Sequence, residues 1–234
     1  MNISSLKKSK VILAAMLFGS TARKDSDAFS DKDIFILCKD MNLRELLKTK
    51  KILIEPAFTE QITVSTYRLS DVIAMSKRNS LFMWHLKLQG KIIFSKNRIL
   101  DKILETLEPY NNYQEDLECY TKLLDDAKNS LTKWGYLNEF DMSLLFTIVR
   151  NICILLCYHQ GTPKFGRSNA YLKANRIFRN NFPMPDKVYQ KLCSYKIWYE
   201  RGIKMNRGSN KGFNSNKIIN HVDDLLGFAK GICL

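Results

Sequence analysis

The sequence predicts an α+β protein: a small mixed sheet with flanking helices, then an all-helical bundle. Three observations carry this. Residues 1 to about 108 alternate short apolar or β-branched runs with helically spaced segments. From residue 113 onward, apolar residues recur every three or four positions over long segments. Between the two lies "EPYNNYQED", a polar stretch with a proline, where a boundary is expected. The expected domains are 1–108 and 113–234.

In the first half, "VILAAMLF" reads as a buried strand and "DIFILC" as a second. The segment "NLRELLKTKK" has helical spacing, and "ILIE" after it reads as a short strand. The alternating, β-branched "QITVSTYRL" is a strand, and "SDVIAMSKRN" a helix with Ser70 as its N-cap. In "SLFMWHLKLQGKIIF", a helix stops at Gly90 and a last short strand follows. In the second half "YQEDLECYTKLLDDAKNSLTKW", "EFDMSLLFTIVRNICILLCYHQ" and "NKIINHVDDLLGFAKGI" are helices. The polar "NRGSNKGFNSNK" reads as a loop.

The bulk numbers bound the function. At 45% apolar residues over 234, the chain can bury a core. Lys and Arg outnumber Asp and Glu by 37 to 23, a net charge of +14 that favours a polyanionic partner. The six cysteines form no CxxC pair and no zinc pattern with the three histidines. They read as free thiols of a reducing compartment, so a cytoplasmic location is expected. The apolar run near the N-terminus leads straight into Gly19 and Ser20 and reads as a strand, not a signal peptide. The most apolar helix is interrupted by Arg150 and reads as buried, so no membrane partner is expected.

The stretch "LFGSTARKDSDAFSDKDIFIL" carries the chemistry. Gly19 permits a tight turn after the first strand, and Ser20 adds a hydroxyl and an amide. Asp31 and Asp33, two apart on a strand, face the same side beside that turn. Two carboxylates so close repel unless a cation lies between them. Mg²⁺ (or Mn²⁺) suits the site, since it sits on one or two carboxylates plus substrate phosphates. The turn would hold those phosphates through its amides.

This pattern resembles the DNA polymerase β-like nucleotidyltransferase superfamily, in its minimal form: a Gly-Ser turn, a spacer of about ten residues, then Asp-x-Asp before an apolar strand. Gly19, Ser20, Ala22, Arg23, Ser30, Asp31 and Asp33 match. The resemblance covers about the first hundred residues, and "HLKLQGKIIF" looks like the family's closing helix and strand. It implies that Asp31 and Asp33 are catalytic and hold metal. Gly19, Ser20, Arg23 and Lys24 would bind a nucleoside triphosphate.

Two positions depart from the pattern. Lys24 stands where the family usually has Gly. The family's third acid, on a later strand, would fall near Thr63, and "QITVSTYRL" holds no acid. Glu55, Glu60 or Glu139 are the candidates to replace it, with Asp141 beside Glu139.

The helical half would present the acceptor. Between Lys164 and Lys217 thirteen basic residues face two acids, Asp186 and Glu200, an excess of eleven. Arg167, Lys173, Arg176, Arg179 and Lys187 are the expected RNA contacts. Interleaved aromatics, among them Phe165, Tyr171, Phe182, Tyr189 and Tyr195, would suit base stacking. Arg150 and His159 enclose eight residues, too many for the motif of HEPN ribonucleases, so His159 reads as a helix-end residue.

The function expected is Mg²⁺-dependent transfer of a nucleoside monophosphate to a hydroxyl. The acceptor expected first is RNA, particularly a tRNA 3′ end. A protein side chain comes second, or an acidic protein as partner, and an aminoglycoside-like drug third. The alternative is an inactive nucleotide- or RNA-binding subunit of a toxin–antitoxin or phage-defence system.

Overall fold

The computed structural model describes residues 3–19, 22, 32–58, 62–202 and 214–234. The chain divides into two compact units, Met1–Asn112 and Tyr113–Leu234.

Unit one holds a four-stranded sheet in the order β3-β2-β1-β4. Its strands are β1 (Ile12–Phe18), β2 (Lys32–Cys38), β3 (Ile62–Arg68) and β4 (Lys91–Ser95). β1 is antiparallel to β2 and β4, and β2 is parallel to β3, so the sheet is mixed. Among the described residues five helices accompany it: α1 (Ile3–Lys8), α2 (Leu43–Thr49), α3 (Leu69–Lys77), α4 (Leu81–Gln89) and α5 (Ile99–Glu105). Side chains alternate across each strand. Ala14, Met16, Phe18, Phe35 and Leu37 pack with Val72 of α3, Met83 and Leu86 of α4 and Leu100 of α5. Ala15, Ile34, Ile36 and Cys38 pack with Leu6 of α1 and with Ile54 and Ala57. The sheet is thus covered on both faces, by different helices.

Two expectations are corrected here. "ILIE" is not a strand: α2 continues as a π-helical turn, Lys50–Ile54, and a 3₁₀ turn, Glu55–Ala57. Ile54 and Ala57 bury on the sheet's second face, so the run is satisfied as a cover, not as another strand. Ser70 is not an N-cap. α3 starts directly off β3, and Asp71 reaches back to the Arg68 N–H (3.3 Å) and to its guanidinium (2.8 Å on both oxygens). The basic start of the chain is helical (α1), and the strand begins only at Ile12. Gly90 does end α4, but for a reason the sequence hides. A Cβ there would lie 2.3 Å from Met16 Sδ and 2.5 Å from the Leu86 carbonyl, so the β4 entry passes too close to β1 for any side chain.

Unit two comprises α6 (Tyr113–Trp134), α7 (Glu139–His159), α8 (Asn169–Phe178), α9 (Asp186–Arg201) and α10 (Ser215–Cys233). α7 is the core: it packs against each of the other four. Among the described residues it is the one helix long and apolar enough to cross a membrane, and it is mostly buried inside the unit. Its start is fixed by a capping box. Asn138 Oδ1 accepts from the Asp141 N–H (2.9 Å), and Asp141 Oδ2 accepts from the Asn138 N–H (3.0 Å). The Ser130 hydroxyl of α6 donates to the same Oδ2 at 2.7 Å. Asp141 is 4% exposed, so removing it strands two donors. We expect Asp141→Ala to destabilise the protein by about 2 kcal/mol, read as a lowered thermal midpoint. An unchanged midpoint would refute the role of this cap.

Candidate active site

The site is built where β1 ends beside the start of β2. Phe18 pairs with Asp33 across the antiparallel ladder, which brings Gly19 alongside the Asp33 side chain. Gly19 has φ +72°, the left-handed region. A Cβ on it would lie 2.1 Å from Asp33 Oδ2 and 3.0 Å from its Cγ. The Asp33 carboxylate therefore rests on the bare backbone of the turn, in space that any side chain at 19 would fill. This explains why a glycine must stand there.

Beneath the acid lies a packed aromatic floor. Phe35 stacks on Tyr67 (5.4 Å between centroids), and Phe82 of α4 meets Tyr67 at 5.5 Å, Phe18 at 6.0 Å and Phe35 at 6.2 Å. His85, one helical turn after Phe82, sets its ring edge-on to Phe18 at 5.7 Å. Such pairs each add roughly 0.5–1.5 kcal/mol beyond burial and hold rings in fixed orientation. Burial raises the Tyr67 phenol above its ordinary pKa, so Tyr67 stays a neutral hydroxyl. The floor was not anticipated from sequence, although Phe82 and His85, three apart on a helix with an apolar face, were the visible signal.

On β3 the residue in register with Asp33 is Thr63, followed on that face by Ser65 and Tyr67. The place expected for a third acid thus holds a threonine. Glu55 is exposed on the 3₁₀ turn whose neighbours Ile54 and Ala57 cover the opposite sheet face from Phe35. Glu139 is exposed in the first turn of α7 in the other unit. Ser20, Arg23, Lys24, Asp31 and Glu60 lie outside the described residues.

A divalent cation fits what is described. Asp33 offers hard oxygen donors, and the bare Gly19 backbone leaves the carboxylate a neighbour with no side chain. No group of three metal-binding side chains occurs among the described residues. Asp33, with Asp31, would be the holder.

In unit two, Arg176, Arg179 and Lys187 are exposed, and Arg167 and Lys173 are partly buried. The aromatics interleaved with them are largely core. Phe165, Tyr171, Phe182, Tyr189 and Tyr195 are all buried, and Tyr171 stacks face to face on Tyr189 at 3.9 Å. The expectation that these five stack on bases is corrected: they are buried inside unit two, Tyr189 against Phe146 of α7 and Phe182 against Phe228 of α10. The last aromatic of the series, Phe213, lies outside the described residues, and Tyr199 is exposed. Arg150 donates to the Phe165 carbonyl (3.1 Å), and His159 packs edge-on to Tyr113 (5.4 Å), so both serve the bundle.

Comparison with known families matches residues 2–99 to the family Polymerase beta, Nucleotidyltransferase. No curated protein matches the chain in sequence. Among solved structures, the spectinomycin adenyltransferase AAD(9) from Enterococcus faecialis, determined with ATP and spectinomycin, is similar at a TM-score of 0.56 and 13% identity. The match covers 97% of this chain and 98% of that one, so the helical unit shares the fold as well as the sheet.

Proposed function

We propose that this chain, whose residues 2–99 are a nucleotidyltransferase domain of the polymerase β type, moves a nucleoside monophosphate from a triphosphate to the hydroxyl of a small polar acceptor. The observation that carries the reading is the Asp33 carboxylate seated on the Gly19 turn within that domain. The acceptor oxygen forms a bond to the α-phosphorus, the bond from that phosphorus to the β-phosphate oxygen breaks, and pyrophosphate leaves. The hydroxyl proton passes to a carboxylate or to water. A bound Mg²⁺ would neutralise charge on the phosphates. The turn at Gly19 lets backbone approach the phosphates closely, and the aromatic floor keeps Asp33 in place. Positioning of this kind, with charge neutralisation, is most of what phosphoryl transfer requires.

A small acceptor is favoured because the likeness to a spectinomycin adenyltransferase runs the whole length of both chains, with the stacking aromatics turned into the core. A second reading, RNA as acceptor, is favoured by the excess of eleven positive charges between Lys164 and Lys217 and by the exposure of Arg176, Arg179 and Lys187.

The test is one incubation with each α-labelled triphosphate and Mg²⁺, offered in turn aminocyclitol antibiotics, total RNA and cell protein. We expect label on the small acceptor, with one pyrophosphate released per transfer. Label on RNA alone establishes the second reading. No transfer to any acceptor, with triphosphate still bound, establishes a binding subunit and overturns the enzymatic reading.

A further inference from the structure

At the other end of the sheet from Gly19 and Asp33 lies a hollow of about 420 Å³ walled by Lys10, Lys39, Lys96 and Lys102. We infer that this hollow is a second ligand site, one that takes a linear phosphate chain, as inorganic polyphosphate or as the polyphosphate of a nucleotide.

Its place follows from the strands. Leu13, near the start of β1, lines it, six residues before Gly19. Lys39, just past the end of β2, lies six residues after Asp33. At about 3.3 Å per residue both counts give a separation of roughly 20 Å. A triphosphate held at the Gly19 turn does not span that distance.

The walls are built by the fold. The Lys39 N–H donates to the Val11 carbonyl at 2.9 Å, tying the exit of β2 to the entry of β1. The Lys96 ammonium donates to the Ser9 carbonyl, and the Ser9 hydroxyl accepts from the Val11 N–H at 3.2 Å. After β4 the chain reverses through two consecutive left-handed residues, Asn97 (φ 51°) and Arg98 (φ 54°). The reversal sets Asn97, Ile99 and Lys102 on one wall, the last two being three apart and so on one face of α5.

The charge is one-sided. Among the described residues no Asp or Glu lines the hollow. Of the acids on α5, Glu105 is paired with Arg98 at 2.7 Å, and Asp101 is not in the lining. Four lysines gather positive charge around one small volume, Lys96 tied to the Ser9 carbonyl, and an anion with several charges complements that charge. Ammonium groups on flexible stems are point charges that suit phosphates without fixed geometry. Leu13 and Ile99 give an apolar surface, and the Asn97 amide lies beside it, as a nucleobase would require. A bounded hollow of this size suits a short phosphate chain better than the extended backbone of RNA.

The test is calorimetric titration of the full chain in EDTA at about 50 mM salt, with inorganic tripolyphosphate, with ATP and with a single-stranded RNA oligonucleotide. The variant is Lys10→Gln/Lys39→Gln/Lys102→Gln, which leaves Lys96 to its structural bond. We expect tripolyphosphate to bind the parent, the variant to lose at least tenfold in affinity, and the affinity to fall steeply with salt. Tighter binding of ATP that the variant loses assigns the nucleotide source, with its base on Leu13 and Ile99; a loss equal to that of tripolyphosphate at equal affinity assigns the phosphate chain alone. The variant should keep nucleotidyl transfer, because these lysines lie outside the Gly19–Asp33 site. Should the triple variant melt early, Lys102→Gln alone is expected to lose about threefold. Undiminished tripolyphosphate binding by the variants, or loss of RNA binding alone, overturns the inference.

Discussion

Asp33→Asn is expected to lower nucleotidyl transfer about a thousandfold or more, ~4 kcal/mol of transition-state stabilisation, with the thermal midpoint unchanged. The substitution keeps the shape of the side chain and its contact with the Gly19 turn. It removes only the charge that would hold a divalent cation. The half-buried position matters, because a carboxylate partly withdrawn from water binds a cation more strongly than one in bulk solvent. Metal-dependent triphosphate binding, followed by calorimetry with and without Mg²⁺, should fall in parallel. Transfer by Asp33→Asn within about fivefold of the parent would remove Asp33 from the catalytic machinery. The absence of an acid at Thr63 sharpens this test. With no carboxylate in register on β3, Asp33 and Asp31 must carry a larger share of the charge than a three-acid site would ask of them.

How much of this was legible in the sequence depends on which interactions are local. The strands β1, β2 and β3 were readable because alternation and β-branching are properties of five to eight consecutive residues. The Gly19–Asp33 relation was readable for a similar reason: a turn after one strand and an acid pair opening the next fix their own neighbourhood once the strands pair. The π-helical cover at Lys50–Ile54 was not readable, because "ILIE" is an apolar run whose conformation is decided by the sheet face it lands on. The same holds for α8 and α9. Phe165, Tyr171 and Tyr189 alternate with lysines and arginines along the chain, and only packing on α7 decides whether a ring turns inward or lies open to a base. The need for glycine at 90 was also invisible, since it arises from Met16, a residue 74 positions earlier in the chain. Charge counts survive folding, which is why the basic excess of residues 164–217 remains an argument while the aromatic one does not.

Gly19→Ala should cost both stability and activity, and the two losses should separate in a double variant. Two effects act at this residue. Its φ of +72° costs an alanine roughly 1 kcal/mol relative to glycine. The new Cβ would also fall 2.1 Å from Asp33 Oδ2, so the carboxylate must move off the turn. Together we expect a loss of about 2 kcal/mol, seen as a lowered thermal midpoint, and a fall in transfer comparable to that of Asp33→Asn. In Gly19→Ala/Asp33→Ala the collision disappears, because the truncated residue 33 no longer reaches the turn. Only the backbone cost then remains. The double variant should recover about half of the stability lost by Gly19→Ala, a coupling of roughly 1 kcal/mol between residues in contact. Transfer should stay absent, since the carboxylate itself is gone. Strict additivity of the two stability losses would mean that position 19 is a glycine for its backbone angle alone. Activity retained by Gly19→Ala would mean that phosphates are held elsewhere than at this turn.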